Sequence, residues 1–352
     1  MVAVVVAVVA VIALGVVDVE GWSHVGHEIT AAIAHEFLNE NVAFDVSAML
    51  ANDGGRMENV ASWADKIKHQ AGWGWTSPLH HVNVDLICPK GRCLTAAIAN
   101  YSSRLLSRTD PESSYIDLKF LVHYLGDINQ PLHISTRNNR GGNNERGRFC
   151  RRKTNLHEIW DDLLIQRRIR TSFRKSKASY IESIVTRVRT GNWSTASWID
   201  CRTFDECSRL WAMDTALLSA SANRDELGND IVDGFDLCDE YYMRHQDSVD
   251  VQLAKGGVRL AYLLNWIWDN PPSYEIATAG SVVGIAKKPE EVPAHVIITV
   301  PDDAEVTDAR AMTWSPVQIW MDTTRLSLVP ALLILAVLIS ADIFSGTCQR
   351  IH

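Results

Sequence analysis

Apolar residues recur at three- and four-residue spacing over eight stretches of the chain: 28–39, 60–69, 95–106, 115–128, 156–168, 180–190, 208–222 and 249–268. That period turns one face of an α-helix toward a core, so the pattern predicts an all-α domain. In the last stretch Leu253, Leu260, Leu263, Leu264 and Ile267 make one apolar stripe, and Asn270-Pro271-Pro272 stops it. No internal repeat is present. Two apolar runs at the chain ends lack the helical period of a globular core. Residues 1–21 carry no charge before Asp18 and end on Val19 and Gly21, as a signal peptide cut after Gly21 would. A retained membrane helix is the alternative there, although the run falls short of the ~20 residues a span needs.

The second run, 326–341, lies between Arg325 and Arg350 and nears membrane-spanning length when Ile343 and Phe344 are included. It is read as a C-terminal transmembrane helix over 325–345 with a short tail at 346–352; a cleaved lipid-anchor signal is the alternative. Six of the eleven prolines fall within 271–324, beside the acidic pairs Glu290-Glu291 and Asp302-Asp303, which marks 270–324 as a linker or stalk. The chemistry therefore belongs to residues 22–269.

Composition narrows the function. A formal net charge of -8 excludes a protein that grips nucleic acid through an overall basic surface, so any phosphate contact must be local. Seven cysteines suit an exported protein, and the short loops Cys88 to Cys93 and Cys201 to Cys207 are disulfide candidates, with Cys348 the odd one. Neither pair has the CxxC spacing of a zinc ribbon. Asn100 and Asn192 each begin a glycosylation acceptor.

The strongest chemical signal runs from His123 to His133. His123 and Asp127 are four residues apart, so on a helix both emerge on one face, where they can share a cation. Pro131 then turns the chain and carries His133 around it. His157 and Asp161 repeat the spacing. One such pair reads equally as a surface ion pair or a core histidine. With His27, His80 and Asp65 the count is five histidines and three aspartates, enough for several zinc ions in nitrogen and oxygen coordination. Trp22 adds to them: after cleavage at Gly21 it would offer an α-amine and a carbonyl oxygen.

Trp22-x4-His27, Ser62-Trp63-Ala64-Asp65, Leu79-His80, the segment His123–His133, Gly141-Gly142-Asn143 and Asn155–Asp161 resemble the zinc-dependent single-strand-specific nucleases, the class I nuclease family. Ala254–Ala261 fits as well, and the likeness covers residues 22–269. The C-terminal apolar run further resembles the surface-anchored 3′-nucleotidase/nuclease branch. The resemblance implies a phospholipase C/nuclease-like helical domain holding three Zn2+ ions. One would take Asp65, His80, His123 and Asp127; a second the amine and carbonyl of Trp22 with His27 and the shared Asp127; the third His133, His157 and Asp161.

It also implies hydrolysis of single-stranded DNA or RNA to 5′-phosphate ends, and of 3′-nucleotides to nucleoside and phosphate, by a metal-bridged hydroxide attacking phosphorus. Asp65 and Lys68 are the expected catalytic residues; Lys68 stands where the family often has arginine. His81, Asn83 and Asn143 are the expected substrate contacts, the first two replacing an aromatic residue and an aspartate. The expected protein is a monomer with an extracellular catalytic domain, anchored by a single pass in the membrane. A zinc-dependent phospholipase C is the main alternative, but there the first histidine lies further from the tryptophan and the last ligand is glutamate. A non-enzymatic surface binding domain with structural zinc is the other. The basic loop 144–153 reads either as a phosphate guide or as a solvated surface, and 167–177 as a solvated surface. The twelve tryptophans are mostly core filling, Trp63 and Trp160 among them.

Overall fold

A computed structural model of the chain describes residues 22–135 and 139–271. The expected signal peptide and the anchor segment lie outside the described residues, as does all of the expected linker beyond Pro271. Among the described residues no helix is long and apolar enough to cross a membrane.

The domain is mostly helical. Its first half contains α1 (His24–His35), α2 (Glu40–Met49), α3 (Met57–Val60), α4 (Trp63–Ile67), the short strand β1 (Val82–Asn83), α5 (Leu94–Ser107) and α6 (Pro111–Asp127). Then follow β2 (Ile134–Ser135), β3 (Arg146–Phe149), β4 (Arg152–Asn155), α7 (Leu156–Glu158), α8 (Leu164–Ser172), α9 (Lys177–Arg189), α10 (Phe204–Ala222), β5 (Phe235–Leu237) and α11 (Asp239–Asp269). β1 pairs in parallel with β2, while β3 lies between antiparallel β4 and parallel β5. These strands are too short for an alternating pattern to show in sequence, and the all-α expectation omitted them. It also omitted α2, whose buried face is only Val42 and Val46.

α6 is the central helix. Asp110 caps it by accepting a hydrogen bond from the Ser113 amide at 2.7 Å, and Pro111 occupies the first turn, where its missing N–H costs nothing. Every residue from Asp117 to Asp127 is buried, so the helix is enclosed on all sides. One apolar cluster surrounds it, drawing on α5, α10 and the C-terminal half of α11 (Leu260, Leu263, Leu264, Ile267). A second cluster gathers Trp22, Trp160, Ile165 and Tyr180 around Val249 and Leu253 in the N-terminal half of α11. α1 serves both, giving Ala31 and Ala34 to the first and Ile29 and Ile33 to the second.

Among the described residues three disulfides form: Cys88–Cys93, Cys201–Cys207 and Cys150–Cys238. The first two are the short loops expected from sequence. The third joins partners 88 residues apart and ties the β3–β4 turn to the start of α11. Bonds of this kind belong to an oxidising compartment.

α1 and α11 pack closely because glycine lies at their crossing. A Cβ at Gly257 would stand 2.4 Å from Ile33 Cγ2, and one at Gly256 2.8 Å from Thr30 Cγ2. Gly257→Ala should therefore push the helices apart at a cost of about 1–3 kcal/mol. Calorimetry should show a melting temperature lower by several degrees; an unchanged value would mean that the crossing has spare room.

Candidate metal centre

Asp65 comes from α4, and His80 from the end of the 3-10 segment Gly74–His80. His123 and Asp127 face them from the last turn of α6. His80 Nδ1 lies 3.0 Å from both His123 Nε2 and Asp127 Oδ2, and His123 Nε2 lies 3.2 Å from the same carboxylate oxygen. Asp65 Oδ1 is 3.5 Å from each of these two imidazole nitrogens. Four ligands held tetrahedrally at zinc's bond lengths of ~2.0–2.1 Å stand about 3.3–3.4 Å from one another. The five distances lie close to that spacing.

The other oxygen of Asp127 faces elsewhere. Oδ1 is 3.3 Å from His27 Nε2 and 3.7 Å from His133 Nδ1, so one carboxylate joins two groups of donors. His27 stacks on His123 with ring centroids 3.9 Å apart, and it packs on the backbone at Gly126, where a Cβ would lie 2.4 Å from its Nδ1. The third group is His133, His157 and Asp161; in it His157 Nε2 stands 3.2 Å from Asp161 Oδ2.

Hydrogen bonds behind the rings set which nitrogen faces inward. His123 Nδ1–H donates to the Ala61 carbonyl at 2.7 Å, and His157 Nδ1–H to the Gly141 carbonyl at 2.6 Å. His133 Nδ1–H donates likewise to the His80 carbonyl. Each bond turns Nε2 inward, the arrangement usual for imidazoles that ligate metals. Gly141 is required by backbone shape: its φ is +65°, and a Cβ there would fall 2.4 Å from the Leu132 carbonyl oxygen.

Asp161 sits in a π turn, Ile159–Leu163, between α7 and α8. Such turns insert a residue into a helix and often mark functional sites. The Gln130 side-chain amide donates to Asp161 Oδ1, and its carbonyl oxygen accepts from the Leu132 amide. Gln130 thus couples the Pro131 turn to Asp161. Nothing in the sequence assigns Gln130 a role beyond its place in the His123–His133 segment.

Trp22 is fully buried in the second apolar cluster, and the Ser23 amide donates to the Asp161 carbonyl at 2.9 Å. The chain just after Trp22 is therefore joined to the segment carrying the third donor group.

The donors fit a cation by charge as well as spacing. Burial lowers the pKa of His27 and His80 to about 4, which keeps both imidazoles neutral at neutral pH. Burial opposes ionisation of Asp65 and Asp127, but His123, joined by His80 and Lys68 at Asp65 and by His133 and His27 at Asp127, holds both carboxyls well below the usual range. His123 shows the converse: burial works against its proton, yet Asp127 and Asp65 raise its pKa to about 10. Both ring nitrogens of the fully buried His27 lack a hydrogen-bond partner. Neutral imidazoles, ionised carboxylates and unpartnered buried nitrogens suit zinc, which binds the deprotonated forms.

Around this centre, Lys68 is buried with Nζ 2.9 Å from Asp65 Oδ1. His81 is exposed and lies within the electrostatic reach of His133, Asp127, Lys68 and Arg140. Asn83 is half-buried in β1, opposite Ser135. Asn143 is buried, and its side-chain amide donates to the Arg140 carbonyl at 3.0 Å. The basic loop forms the β3–β4 hairpin, whose register sets Arg148 opposite Lys153 with both exposed. In the stretch read as solvated surface, Arg168 instead holds the buried Asp250 at 2.7 Å. Asn192 is exposed, whereas Asn100 is half-buried on α5.

Together the helices and the His/Asp donor groups define a helical domain built around side chains that could hold metal ions. The S1/P1 nuclease model matches residues 22–269, and the chain belongs to that family, the zinc-dependent class I nucleases its motifs resemble. It is 33% identical to endonuclease 4 of Arabidopsis thaliana over 278 residues, covering 72% of this chain and 91% of that protein. Nuclease S1 of Aspergillus oryzae is 30% identical, covering 71% of this chain and 93% of its own length. Nuclease P1 of Penicillium citrinum is 29% identical, covering 70% and 96%.

Two outcomes follow from this geometry. In metal-free protein the His123 proton competes with the cation and stays bound up to a pKa of about 10, while His27 and His80 remain neutral down to about 4. Between those limits, loss of that one proton when zinc enters the Asp65, His80, His123 and Asp127 group should raise its apparent affinity about tenfold per pH unit, as a chelator-competition titration would measure; a flat profile would contradict the assignment. Gln130→Ala should lower zinc affinity or rate by roughly 10–100-fold, the usual effect of removing a group that orients a ligand. Equal zinc content and rate in mutant and wild type would remove Gln130 from that role.

Proposed function

We propose that the protein is a zinc-dependent phosphoesterase that hydrolyses single-stranded DNA and RNA to 5′-phosphate products and 3′-nucleotides to nucleoside and phosphate. The observation that carries this reading is Asp127, a buried carboxylate whose two oxygens face different groups of histidines. The relatives named endonuclease 4, nuclease S1 and nuclease P1 support it. Asp65, His80, His123 and Asp127 would hold one zinc; His27, Asp127 and the amine and carbonyl of Trp22 a second; and His133, His157 and Asp161 a third. Zinc in such sites polarises phosphoryl oxygens and lowers the pKa of water toward ~7.

The chain's own groups do the rest. Lys68, fixed against Asp65, supplies positive charge near the phosphate as a point charge without the bidentate reach of arginine. His81 and Asn83 flank the base, and Asn143 braces the 140–143 turn that supports His157. Burial of the donors keeps bulk water from the carboxylates and strengthens each charge interaction.

In this reading the catalytic domain, 22–269, follows a signal peptide and is held at the cell surface as a monomer by the 325–345 segment, with 270–324 as its stalk and Asn192 as a glycan acceptor. Cleavage after Gly21 becomes a condition of activity, because it frees the Trp22 amine. Zinc-loaded protein beginning at Trp22 should release phosphate from 3′-AMP and not from 5′-AMP, and cut single-stranded oligonucleotides to 5′-phosphate ends. A form with one extra residue before Trp22 should keep its fold, read by circular dichroism, but bind that zinc poorly and lose rate. Inertness toward both substrates, with hydrolysis of phosphatidylcholine, would overturn the assignment in favour of a phospholipase.

A further inference from the structure

Outside the donor groups, one surface next to them combines an exposed aromatic ring, exposed apolar side chains and cations without a carboxylate partner. Trp75 lies in the 3-10 segment that ends at His80 and is 37% exposed. Its ring stacks on Trp73 at a centroid distance of 6.4 Å, and Trp73 meets Trp63 edge-on at 5.8 Å. The outer ring is thus backed by a rigid aromatic stack. At ~2.0 Å rise per residue, the five steps from Trp75 to His80 span about 10 Å.

The adjoining loop starts at Asn83 and is closed by the Cys88–Cys93 disulfide. It exposes Val84 (43%) and Ile87 (54%), and two non-glycine residues, Leu86 and Lys90, hold positive φ of 54° and 56°. The Leu94 amide donates to the His81 carbonyl at 3.0 Å, anchoring the far stem beside the centre. Arg92 Nη2 donates to the Trp75 carbonyl at 3.0 Å, which joins loop and aromatic segment. Among the described residues neither Arg92 nor Lys90 forms an ion pair, and both are exposed. The one carboxylate in the loop, Asp85, accepts from the Ile87 amide at 3.0 Å.

We infer that Trp75 and the 83–93 loop form a binding platform for the single strand that runs out of the metal centre. A base stacks on Trp75, Val84 and Ile87 pack against the neighbouring base or sugar, and Arg92 and Lys90 meet the phosphates. Aromatic platforms interleaved with cations are how proteins hold unpaired strands without sequence preference, over sites of about 4–16 nucleotides. A duplex, whose bases are already stacked, has no free face to offer the ring. This inference rests on the nuclease reading for the identity of its ligand.

The test is equilibrium binding of zinc-loaded protein to fluorescein-labelled phosphorothioate dT8 and dT2, read by anisotropy. Trp75→Ala should weaken dT8 binding about tenfold, the effect of one lost base–aromatic stack, and leave dT2 unaffected. Trp75→Phe should restore most of the affinity, and Arg92→Gln should reduce the salt slope by about 0.7, the value for one single-strand phosphate contact. Equal dT8 affinity in wild type and Trp75→Ala, or equal losses on dT8 and dT2, would overturn the platform. Cleavage is scored separately on unmodified strands. A wild type that binds dT8 through Trp75 yet cuts nothing would refute the nuclease reading alone.

Discussion

Asp127 is a carboxylate with no exposure to water, enclosed by His27, His80, His123 and His133. Removing such a group from water costs several kcal/mol even after relaxation, and the cost is offset only by opposite charge in good geometry. The domain meets that requirement by surrounding the carboxylate with imidazole nitrogens and by placing its two oxygens toward different histidines. A cation is the natural complement. The high pKa of His123 comes from the two carboxylates beside it, whereas burial holds His27 and His80 low.

The frame around Asp127 is backbone more than side chain. Carbonyls of Ala61, His80 and Gly141 orient three imidazoles, so the loops bearing those carbonyls are as much a part of the site as the ligands. α6 projects two candidate ligands, His123 and Asp127, from one rigid, enclosed turn, and the Pro131 turn brings His133 close to them. Asn129, just before that turn, is held by Arg259 and by Gln252, which donates to its carbonyl at 2.8 Å. The long α11 thereby braces the ligand segment from behind.

Charge is distributed with the same economy. A chain of net charge -8 repels nucleic acid at long range, so attraction must be concentrated near the site. Lys68 lies inside, while the β3–β4 hairpin, Arg92 and Lys90 present exposed cations near the segments that carry the ligands. Disulfides hold both basic loops: Cys150–Cys238 fixes the hairpin turn and Cys88–Cys93 the loop beside Asn83.

Much of this was legible in the sequence because it is local. Helical period, the four-residue spacing of His123 with Asp127 and of His157 with Asp161, and cysteines five or six residues apart all express geometry within one or two turns of chain. α2 escaped because its six apolar residues spread around the helix, with only Val42 and Val46 buried, and the π turn at 159–163 because nothing in its composition distinguishes it from α-helix. The pairing of Cys150 with Cys238, the coupling of Gln130 to Asp161 and the approach of α11 to α1 at Gly257 join positions tens to hundreds of residues apart. The sequence by itself determined which side chains can ligate and on which local scaffold they stand. A shared Asp127 entered only through the family resemblance; the tertiary structure decided that its two oxygens face different histidines, because that depends on packing between helices, which no local period encodes.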